Sequence, residues 1–288
     1  MRKLLLLFSV IALAACGGSD DAENPPRDVP YPRFMTVVVS ENPMQDENGN
    51  AQAMRRAGAA TTTSTLSDFF LNYQDNKYTF TKGGSGWNTI SWPYGVDYST
   101  KIDFYAYNFD TKEEKAFQWN GGNPYVAFSV VEDVAKQKDF LVAKHEKISH
   151  DDNSGIVSLA FDHACAAVQF YVYKEESTEY TVSSIILRNV CKQGDYYYNN
   201  TETPKWQNVG TPTYYTLNTA SIGVSTTPKR LDCGWLYLIP QSKSGITIEV
   251  TYSKAGADPK TKTLNLSSGT WEAGYQYTVN IRIGGKAS

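Results

Sequence analysis

Short runs of alternating apolar and polar residues recur along most of the chain, and Gly, Asn, Asp or Pro bound them. Tyr, Thr, Val and Ser are frequent in these runs, which favours extended strands over helices. The clearest run extends from residue 275 to 283, where Tyr277, Val279, Ile281 and Ile283 share one face and polar residues take the other. The pattern predicts an all-β fold.

Twelve runs fit the strand pattern, and only Val130 to Gln137 looks capable of a helical turn. The predicted strands cover residues 35–40, 77–81, 101–108, 125–131, 140–144, 156–163, 168–173, 184–190, 234–239, 246–252, 261–266 and 275–283. Asn120 to Asn123 reads as a tight hairpin turn. Strands this short and regularly spaced indicate stacked β-sandwiches rather than an α/β enzyme.

A change of composition at residues 145–155, where charged and turn-forming residues dominate, predicts a domain boundary. We expect an amino-terminal sandwich over residues 57–150 and a carboxyl-terminal sandwich over residues 151–288. The apolar alternation changes parity between Phe161 and Val168. A bulge or bend is therefore expected between Ala164 and Ala167.

The amino terminus has the features of a lipoprotein signal peptide over residues 1–16. Arg2 and Lys3 precede an apolar run from Leu4 to Ala15 that is too short to cross a bilayer. Small residues lead into Cys16, which predicts cleavage before this cysteine and its acylation. An ordinary secretory signal with an incidental cysteine is the alternative. An acidic, glycine-containing spacer follows at residues 17–23 and cannot fold by itself.

Charge and motifs argue against several classes of function. The net charge is −3 without a clustered Lys/Arg face, which argues against nucleic-acid binding. His145, His150 and His163 match no metalloprotease or zinc spacing, and no nucleophile elbow is present. His145 and His150 could gather a metal with Asp151 and Asp152, but a polar loop explains them more simply. We therefore predict no enzyme activity, no cofactor and no metal site.

Two further features leave alternatives open. Cys165, Cys191 and Cys233 remain after the signal peptide and allow at most one disulfide, with three unbonded cysteines an equal alternative. A second feature, the aromatic set Tyr196, Tyr197, Tyr198 and Trp206, could stack on a glycan. Ordinary strand residues, half of them buried, are the favoured reading of that set.

Several segments in order resemble the fimbrillin family of Bacteroidales, the subunits of type V pili. The matching segments are the lipobox, Arg55-Arg56 after a polar loop, and residues 102–107, 139–143, 157–164, 238–241 and 271–277. This resemblance implies two tandem transthyretin-like β-sandwich domains. The acidic spacer is also similar to the export signal of Bacteroidetes surface lipoproteins, which implies the outer face of the outer membrane.

The resemblance also implies an assembly route for residues 17–56. An arginine-specific protease would cut at Arg55 or Arg56, and the first strand would leave. That strand consists of Phe34, Met35, Thr36, Val37, Val38 and Val39. Another fimbrial subunit would then supply a strand to the vacated groove, since unpaired strand edges and an apolar trough accept extended segments. A solvated charge pair is the alternative reading of Arg55-Arg56, and the position of these residues between the removable strand and the first domain favours cleavage over it.

These expectations favour a structural or adhesive fimbrial subunit, exported as an outer-membrane lipoprotein precursor and then part of a fimbrium at the cell surface. Its partners would be other subunits, the protease, the membrane through its lipid, and a host or bacterial surface ligand. The short segment after Ile283 suggests a tip rather than a stalk position. The alternative is a glycan-binding surface lipoprotein that stays anchored in the outer membrane.

Overall fold

A computed structural model describes residues 33–48, 51–52, 66–108, 116–199, 205–218, 220–266 and 268–284, with backbone only at 51–52. The described residues, all of which follow residue 32, form one compact unit. The fold is all-β, as predicted, with multiple sheets and very little helix. Twenty-three strands, a one-turn 3-10 helix at Val134–Lys136 and a short α-helix, α1, at His150–Asn153 make up the described elements.

The strands of the amino-terminal half are β1 (Phe34–Glu41), β2 (Met44–Asp46), β3 (Ala51–Gln52), β4 (Asp68–Tyr73), β5 (Asn76–Gly83), β6 (Gly86–Trp87), β7 (Ile90–Ser91), β8 (Ile102–Tyr107), β9 (Phe117–Asn120), β10 (Asn123–Ser129) and β11 (Leu141–Ile148). Those of the carboxyl-terminal half are β12 (Ile156–His163), β13 (Ala166–Lys174), β14 (Tyr180–Tyr197), β15 (Trp206–Asn218), β16 (Ile222–Val224), β17 (Lys229–Arg230), β18 (Leu236–Leu238), β19 (Gln241–Ser242), β20 (Thr247–Lys254), β21 (Lys260–Asn265), β22 (Thr270–Trp271) and β23 (Tyr275–Ile283).

Three large sheets contain nearly all of these strands. An eight-stranded sheet has the order β6-β5-β4-β8-β11-β12-β1-β7. A seven-stranded sheet has the order β21-β20-β14-β10-β9, with β15 and β16 also paired to β14. A six-stranded sheet has the order β17-β13-β23-β2-β3, with β18 also paired to β13, and β19 and β22 form a small separate pair.

Two clusters of buried apolar side chains lie between these layers. The amino-terminal cluster includes Met35, Phe69, Phe80, Phe104 and Phe161. The carboxyl-terminal cluster is the larger of the two, and its members are spread along the chain between Tyr105 and Ile283. Successive residues of β8 alternate between the clusters, because neighbouring side chains on a strand point to opposite faces.

The division between the sheets differs from the predicted boundary at residue 150. Strand β12, which was assigned to the second domain, pairs with β1 and β11 in the eight-stranded sheet. Strands β9 and β10, which were assigned to the first domain, pair with β14 in the seven-stranded sheet. The charged stretch that suggested the boundary forms part of β11 and the short helix α1 between two strands of one sheet. Division into two tandem sandwiches remains a prediction.

The change of parity after Phe161 corresponds to a change of sheet. Strand β12 ends at His163 in the eight-stranded sheet, and β13 begins at Ala166 in the six-stranded sheet. Ala164 and Cys165 are buried at this bend. The residues on both sides keep their apolar faces turned inward, but toward different clusters.

Candidate functional site: the first strand and its groove

Strand β1 contains all six residues of the predicted removable strand and lies next to the edge of the eight-stranded sheet. Residues Thr36 to Glu41 pair in parallel with Ile156 to Phe161 of β12. On the other side, Phe34 and Met35 pair with the two-residue strand β7. Among the described residues, β1 is therefore held by one full-length partner and one short partner.

The inward face of β1 fills part of the amino-terminal cluster. Met35 is fully buried and Val37 is 5% exposed, and both pack in the cluster that contains Phe104 and Phe161. Phe34 and Val38 lie on the opposite face and are more than half exposed. Removal of β1 would therefore open an apolar trough beside the edge of β12.

The beginning of β1 is tied to the turn that precedes β12. Arg33 forms an ion pair with Asp151, and its guanidinium lies 4.5 Å from the ring centroid of Tyr98. The backbone N–H of Thr36 donates to the carbonyl oxygen of Gly155 at 2.9 Å. Both contacts join β1 to the short segment around helix α1.

The end of β1 meets a group of ionisable side chains, the partly buried Glu41 with Asp139 and the buried His163, which we call the carboxylate–histidine cluster. His163 Nδ1 is hydrogen-bonded to Asp139 Oδ2, and its Nε2 lies 3.7 Å from Glu41 Oε1. The His163 side chain is 4% exposed. Among the described residues, Glu41 Oε2 and Asp139 Oδ1 are buried without a hydrogen-bond partner.

Burial and neighbouring charges change the proton affinity of this cluster. Burial alone would lower the pKa of His163, but the hydrogen bond and charge of Asp139, together with the charge of Glu41, raise it overall. Burial also raises the pKa of the Asp139 carboxyl. Both shifts raise the pH at which His163 and Asp139 lose their protons.

Strand β2 continues the path of β1 into the six-stranded sheet. Gln45 and Asp46 pair in parallel with Tyr275 and Gln276 at the start of β23. Beyond Gln276, this edge of β23 has no paired strand within the described part of the chain. A turn at Glu47 and Asn48 takes the chain away from the edge.

A groove with a volume of about 420 Å³ lies along this unpaired edge of β23. Its apolar lining includes Ile248, Leu264, Trp271 and Ile281. The charged groups that line it are Lys243, Lys262, Arg282 and Glu47. The groove thus combines a free strand edge, an apolar floor and a net positive rim.

The proposed lipidation and cleavage residues lie outside the described part of the chain. Cys16, Arg55 and Arg56 are not among the described residues, so acylation and proteolysis at these positions remain predictions. Residues 51–52, the last described ones before the arginines, form β3 against β2. The predicted cut would thus follow the β2–β3 hairpin.

The aromatic set proposed for glycan contact does not form an exposed platform. Tyr196, Tyr197, Tyr198 and Trp206 are each no more than 5% exposed. The indole N–H of Trp206 donates to the carbonyl oxygen of Ala164 at 2.8 Å, and the hydroxyl of Tyr198 donates to that of Ala106 at 2.8 Å. Because Tyr196, Tyr198 and Trp206 lie in the carboxyl-terminal cluster and Tyr197 stacks on Tyr125, the burial of these rings supports the favoured reading of strand residues over glycan contact.

The remaining candidates have structural environments. Cys165 is buried, Cys191 and Cys233 are half-buried, and all three are free thiols. Within the described residues, no group of three or more His, Cys, Asp and Glu side chains is placed to hold a metal. No helix of the described chain is both long and apolar enough to cross a membrane.

Sequence reasoning missed the polar contacts at both ends of β1. Nothing in the sequence marks Arg33 or Glu41, and Asp139 stands out only as the first residue of the family-like segment 139–143. Arg33 pairs with Asp151, and Glu41 lies near His163. Both partners are more than a hundred residues further along the chain. His163, at the end of β12, is hydrogen-bonded to Asp139 and has a structural role at the bend.

Solved structures show the same fold. A fimbrial protein from Bacteroides vulgatus superposes with a TM-score of 0.54 at 17% identity, over 87% of this chain and 95% of the other. A protein from Bacteroides ovatus that is described in terms of cell adhesion gives a TM-score of 0.53 at 12% identity, over 86% and 92% of the two chains. No match was found among curated proteins.

The sequence profile described as fimbrillin-like matches residues 47–288, which is most of the chain. The matched region includes β12 and β23, the strands that pair with β1 and β2. Membership of this kind indicates a structural or adhesive protein rather than an enzyme. The chain therefore belongs to the fimbrillin-like family.

Proposed function

We propose that this protein is a fimbrial subunit of the cell surface that joins a neighbouring subunit by exchange of β1 for an incoming strand. The precursor would carry a lipid at Cys16, and an arginine-specific protease would cut after Arg55 or Arg56. The family supports a fimbrial role and a surface location. The attachment of β1 is the observation that carries the exchange step.

The pairing of β1 fits a strand that can be replaced. Six residues pair with β12 on one side, but only Phe34 and Met35 pair with β7 on the other among the described residues. Its departure would leave the long edge of β12 unpaired and expose the part of the amino-terminal cluster that Met35 and Val37 cover. An extended segment with apolar residues at alternate positions would satisfy both the edge and the trough.

The groove along β23 supports a longer incoming strand than β1 alone. Strand β2 continues from β1 and occupies only Tyr275 and Gln276 of the β23 edge. If the whole segment before the cut departs, the edge of β12 that pairs with β1 and the edge of β23 that pairs with β2 both become free. The final part of the incoming strand would then suit acidic side chains, since Lys243, Lys262 and Arg282 line the groove.

Limited proteolysis tests the first step. The folded precursor is treated with an arginine-specific protease, and the new amino terminus is sequenced after native size-exclusion chromatography. We expect a start at Arg56 or Ala57 and loss of residues 34–39. The matched control carries Arg55→Lys and Arg56→Lys, which keep the charge and remove the cleavage sites. Resistance of the folded precursor to cutting would favour the permanently anchored lipoprotein instead.

Peptide binding tests the acceptor trough. A labelled peptide of residues 33–46 is added to cut protein from which the original segment has been removed. Peptides with Met35→Asp and Val37→Asp should fail to bind, because these residues face the buried cluster. Peptides with Phe34→Asp and Val38→Asp should still bind, since these side chains are exposed. Equal binding of both pairs would contradict the proposed groove.

The oligomeric state of the same cut protein tests whether it is a tip or a stalk subunit of the fimbria. A tip subunit that accepts a strand but supplies none would stay monomeric after cleavage. Ladders of polymers formed by the cut protein alone would assign it to the stalk. Retention of the lipid by mature protein from cells would contradict the loss of the amino-terminal segment.

A further inference from the structure

We infer that the carboxylate–histidine cluster is a proton-dependent latch on β1, which weakens the attachment of this strand as the pH rises through the titration of His163. The inference rests on the proposed function, because it concerns regulation of the strand that would be exchanged. Its evidence is the placement of one member, Glu41, on β1 and of the other two outside it.

The three members belong to three separate segments of the chain. Asp139 precedes β11, His163 ends β12, and Glu41 ends β1. When β1 leaves, Glu41 leaves with it, whereas the bond between His163 and Asp139 can persist. The cluster therefore differs between the attached and detached states by one partly buried carboxylate.

The carboxylates of the cluster require a proton on the imidazole. Protonated His163 can donate from Nδ1 to Asp139 and from Nε2 toward Glu41 at the same time. After loss of one proton, a histidine that still donates to Asp139 presents a lone pair at Nε2 to the Glu41 carboxylate. Two buried carboxylate oxygens already lack partners among the described residues, so loss of the cation leaves β1 with an uncompensated charge at its end.

Other ionisable groups around His163 do not replace this cation. Cys165 follows the bend, and burial followed by the charge of Asp139 raises the pKa of its thiol, which keeps it neutral. Asp162 is adjacent on β12 and accepts a hydrogen bond from Asn42 Nδ2 at 2.7 Å. Within the described part of the chain, the ionisable groups that act on His163 are Glu41 and Asp139, the Cys165 thiol interacts with Asp139, and none of the three is basic.

The sign of the effect follows from linkage. Attachment of β1 brings the Glu41 carboxylate to 3.7 Å from His163 Nε2, and the charge of this carboxylate acts to raise the pKa of His163. A group whose pKa is raised in one state stabilises that state when protonated, and this stabilisation is lost as pH rises through the raised pKa. Attachment of β1 is therefore strongest on the acidic side of the His163 titration and weaker on the alkaline side.

Hydrogen exchange on the uncut full chain tests the latch. Protection of β1 peptides is measured over a pH series, corrected for the intrinsic exchange rate, and divided by the protection of β23 peptides. We expect this ratio to fall by about tenfold for each pKa unit by which attachment of β1 raises the pKa of His163. The His163 titration itself is followed by NMR of the ring protons, with His145 as an internal reference.

Two variants separate the latch from a general loss of stability. Glu41→Gln keeps the shape of the side chain and should flatten the pH dependence of the β1 ratio while lowering the pKa of His163. Glu146→Gln is the matched control, because Glu146 pairs with Lys144 on β11 and belongs to no part of the cluster. The Glu146→Gln variant should keep the pH dependence of the β1 ratio. A β1 ratio that stays constant with pH in the unaltered chain, or is equally steep in Glu41→Gln, would overturn the inference.

The outcome is separable from that of strand exchange. If cutting at the arginines leaves β1 in place but its protection still titrates with His163, the proposed function fails and the latch stands. If β1 leaves after cutting but its protection shows no titration, the latch alone is wrong.

Discussion

Buried aromatic residues of this chain act through packing rather than through exposed surfaces. Trp206 lies against Phe128, Phe140 and Tyr196, with ring centroids 5.6–5.9 Å apart. Its indole N–H has a backbone acceptor, which removes the cost of burying this polar group. The same side chain would have been a reasonable sugar contact if it had been exposed.

Truncation of this side chain tests the assignment. Trp206→Ala is expected to lower the free energy of unfolding by about 3–5 kcal/mol, because it leaves a large cavity and an unpaired carbonyl. Urea denaturation followed by far-UV circular dichroism measures the change. Tyr94→Ala is the control, since Tyr94 is fully exposed and its loss should change stability by less than about 0.5 kcal/mol. Equal midpoints for the two variants would contradict core packing.

At this scale, sequence reasoning identified residue types but not their surroundings. Tyr196, Tyr197 and Tyr198 follow one another, so a strand would place at least one of them outward. Tyr196 and Tyr198 are buried in the carboxyl-terminal cluster, whereas Tyr197 is covered by Tyr125 of β10, whose ring centroid lies 4.9 Å from its own. Such coverage depends on tertiary packing, which no local pattern encodes.

The attachment of β1 depends on one glycine in the turn before β12. Gly155 has a φ of +73°, and a Cβ added there would clash with the carbonyl oxygen of Phe34 and lie 2.9 Å from His150 Nε2. Its own carbonyl accepts the hydrogen bond from Thr36. Glycine is required here by both the backbone conformation and the close approach of β1.

Gly155→Ala is therefore expected to loosen the start of β1. The strained backbone and the displaced Phe34 carbonyl should cost about 1–3 kcal/mol. Hydrogen exchange of peptides from β1 and from β14 measures whether the loss is local to β1. Gly223→Ala on β16 is the matched control, because an added Cβ meets nothing within 4 Å there. A uniform loss of protection across both strands would contradict a local effect.

Individual strands were predicted well where one face is buried and the other is solvated. The predicted bounds of β12 and β23 are those observed. Strand β15, in contrast, was missed because much of it is exposed and polar, and its pairing with β14 supplies the order. Strand β4 was missed because Phe69, Phe70 and Leu71 are consecutive and give no alternation.

The two apolar clusters are joined through shared strands. Phe104 and Ala106 of β8 lie in the amino-terminal cluster, whereas Tyr105 and Tyr107 lie in the carboxyl-terminal one. Strand β11 is shared in the same way, with Leu141 in the first and Val142 in the second. Disruption of either cluster must therefore disturb strands that the other requires.

This sharing predicts one cooperative unfolding transition for the whole described unit. Phe69→Ala, in the amino-terminal cluster, should lower stability by about 3–5 kcal/mol and shift the far-UV circular dichroism and tryptophan fluorescence midpoints together. Phe34→Ala, at an exposed position on β1, is the control and should shift neither by much. Two separate transitions would indicate that the clusters unfold independently.

The all-β class was predictable from the sequence, but the pairing of distant segments was not. The charged residues near 150 gave a plausible boundary, yet the helix α1 they form only separates two strands of one sheet. Strand β1 finds its partner more than a hundred residues further along the chain, and in parallel rather than antiparallel register. Alternation reports which face of a strand is buried, and it carries no information about its neighbours.

The parallel pairing of β1 with β12 has a mechanical consequence. If a neighbouring subunit supplies the strand in this position, tension along the fibre pulls the two strands past one another. The six pairs from Thr36 to Glu41 then resist the load together, as in shear, instead of opening one after another. Such a joint would resist force along the strands more strongly than force applied across them, which would separate the pairs one at a time.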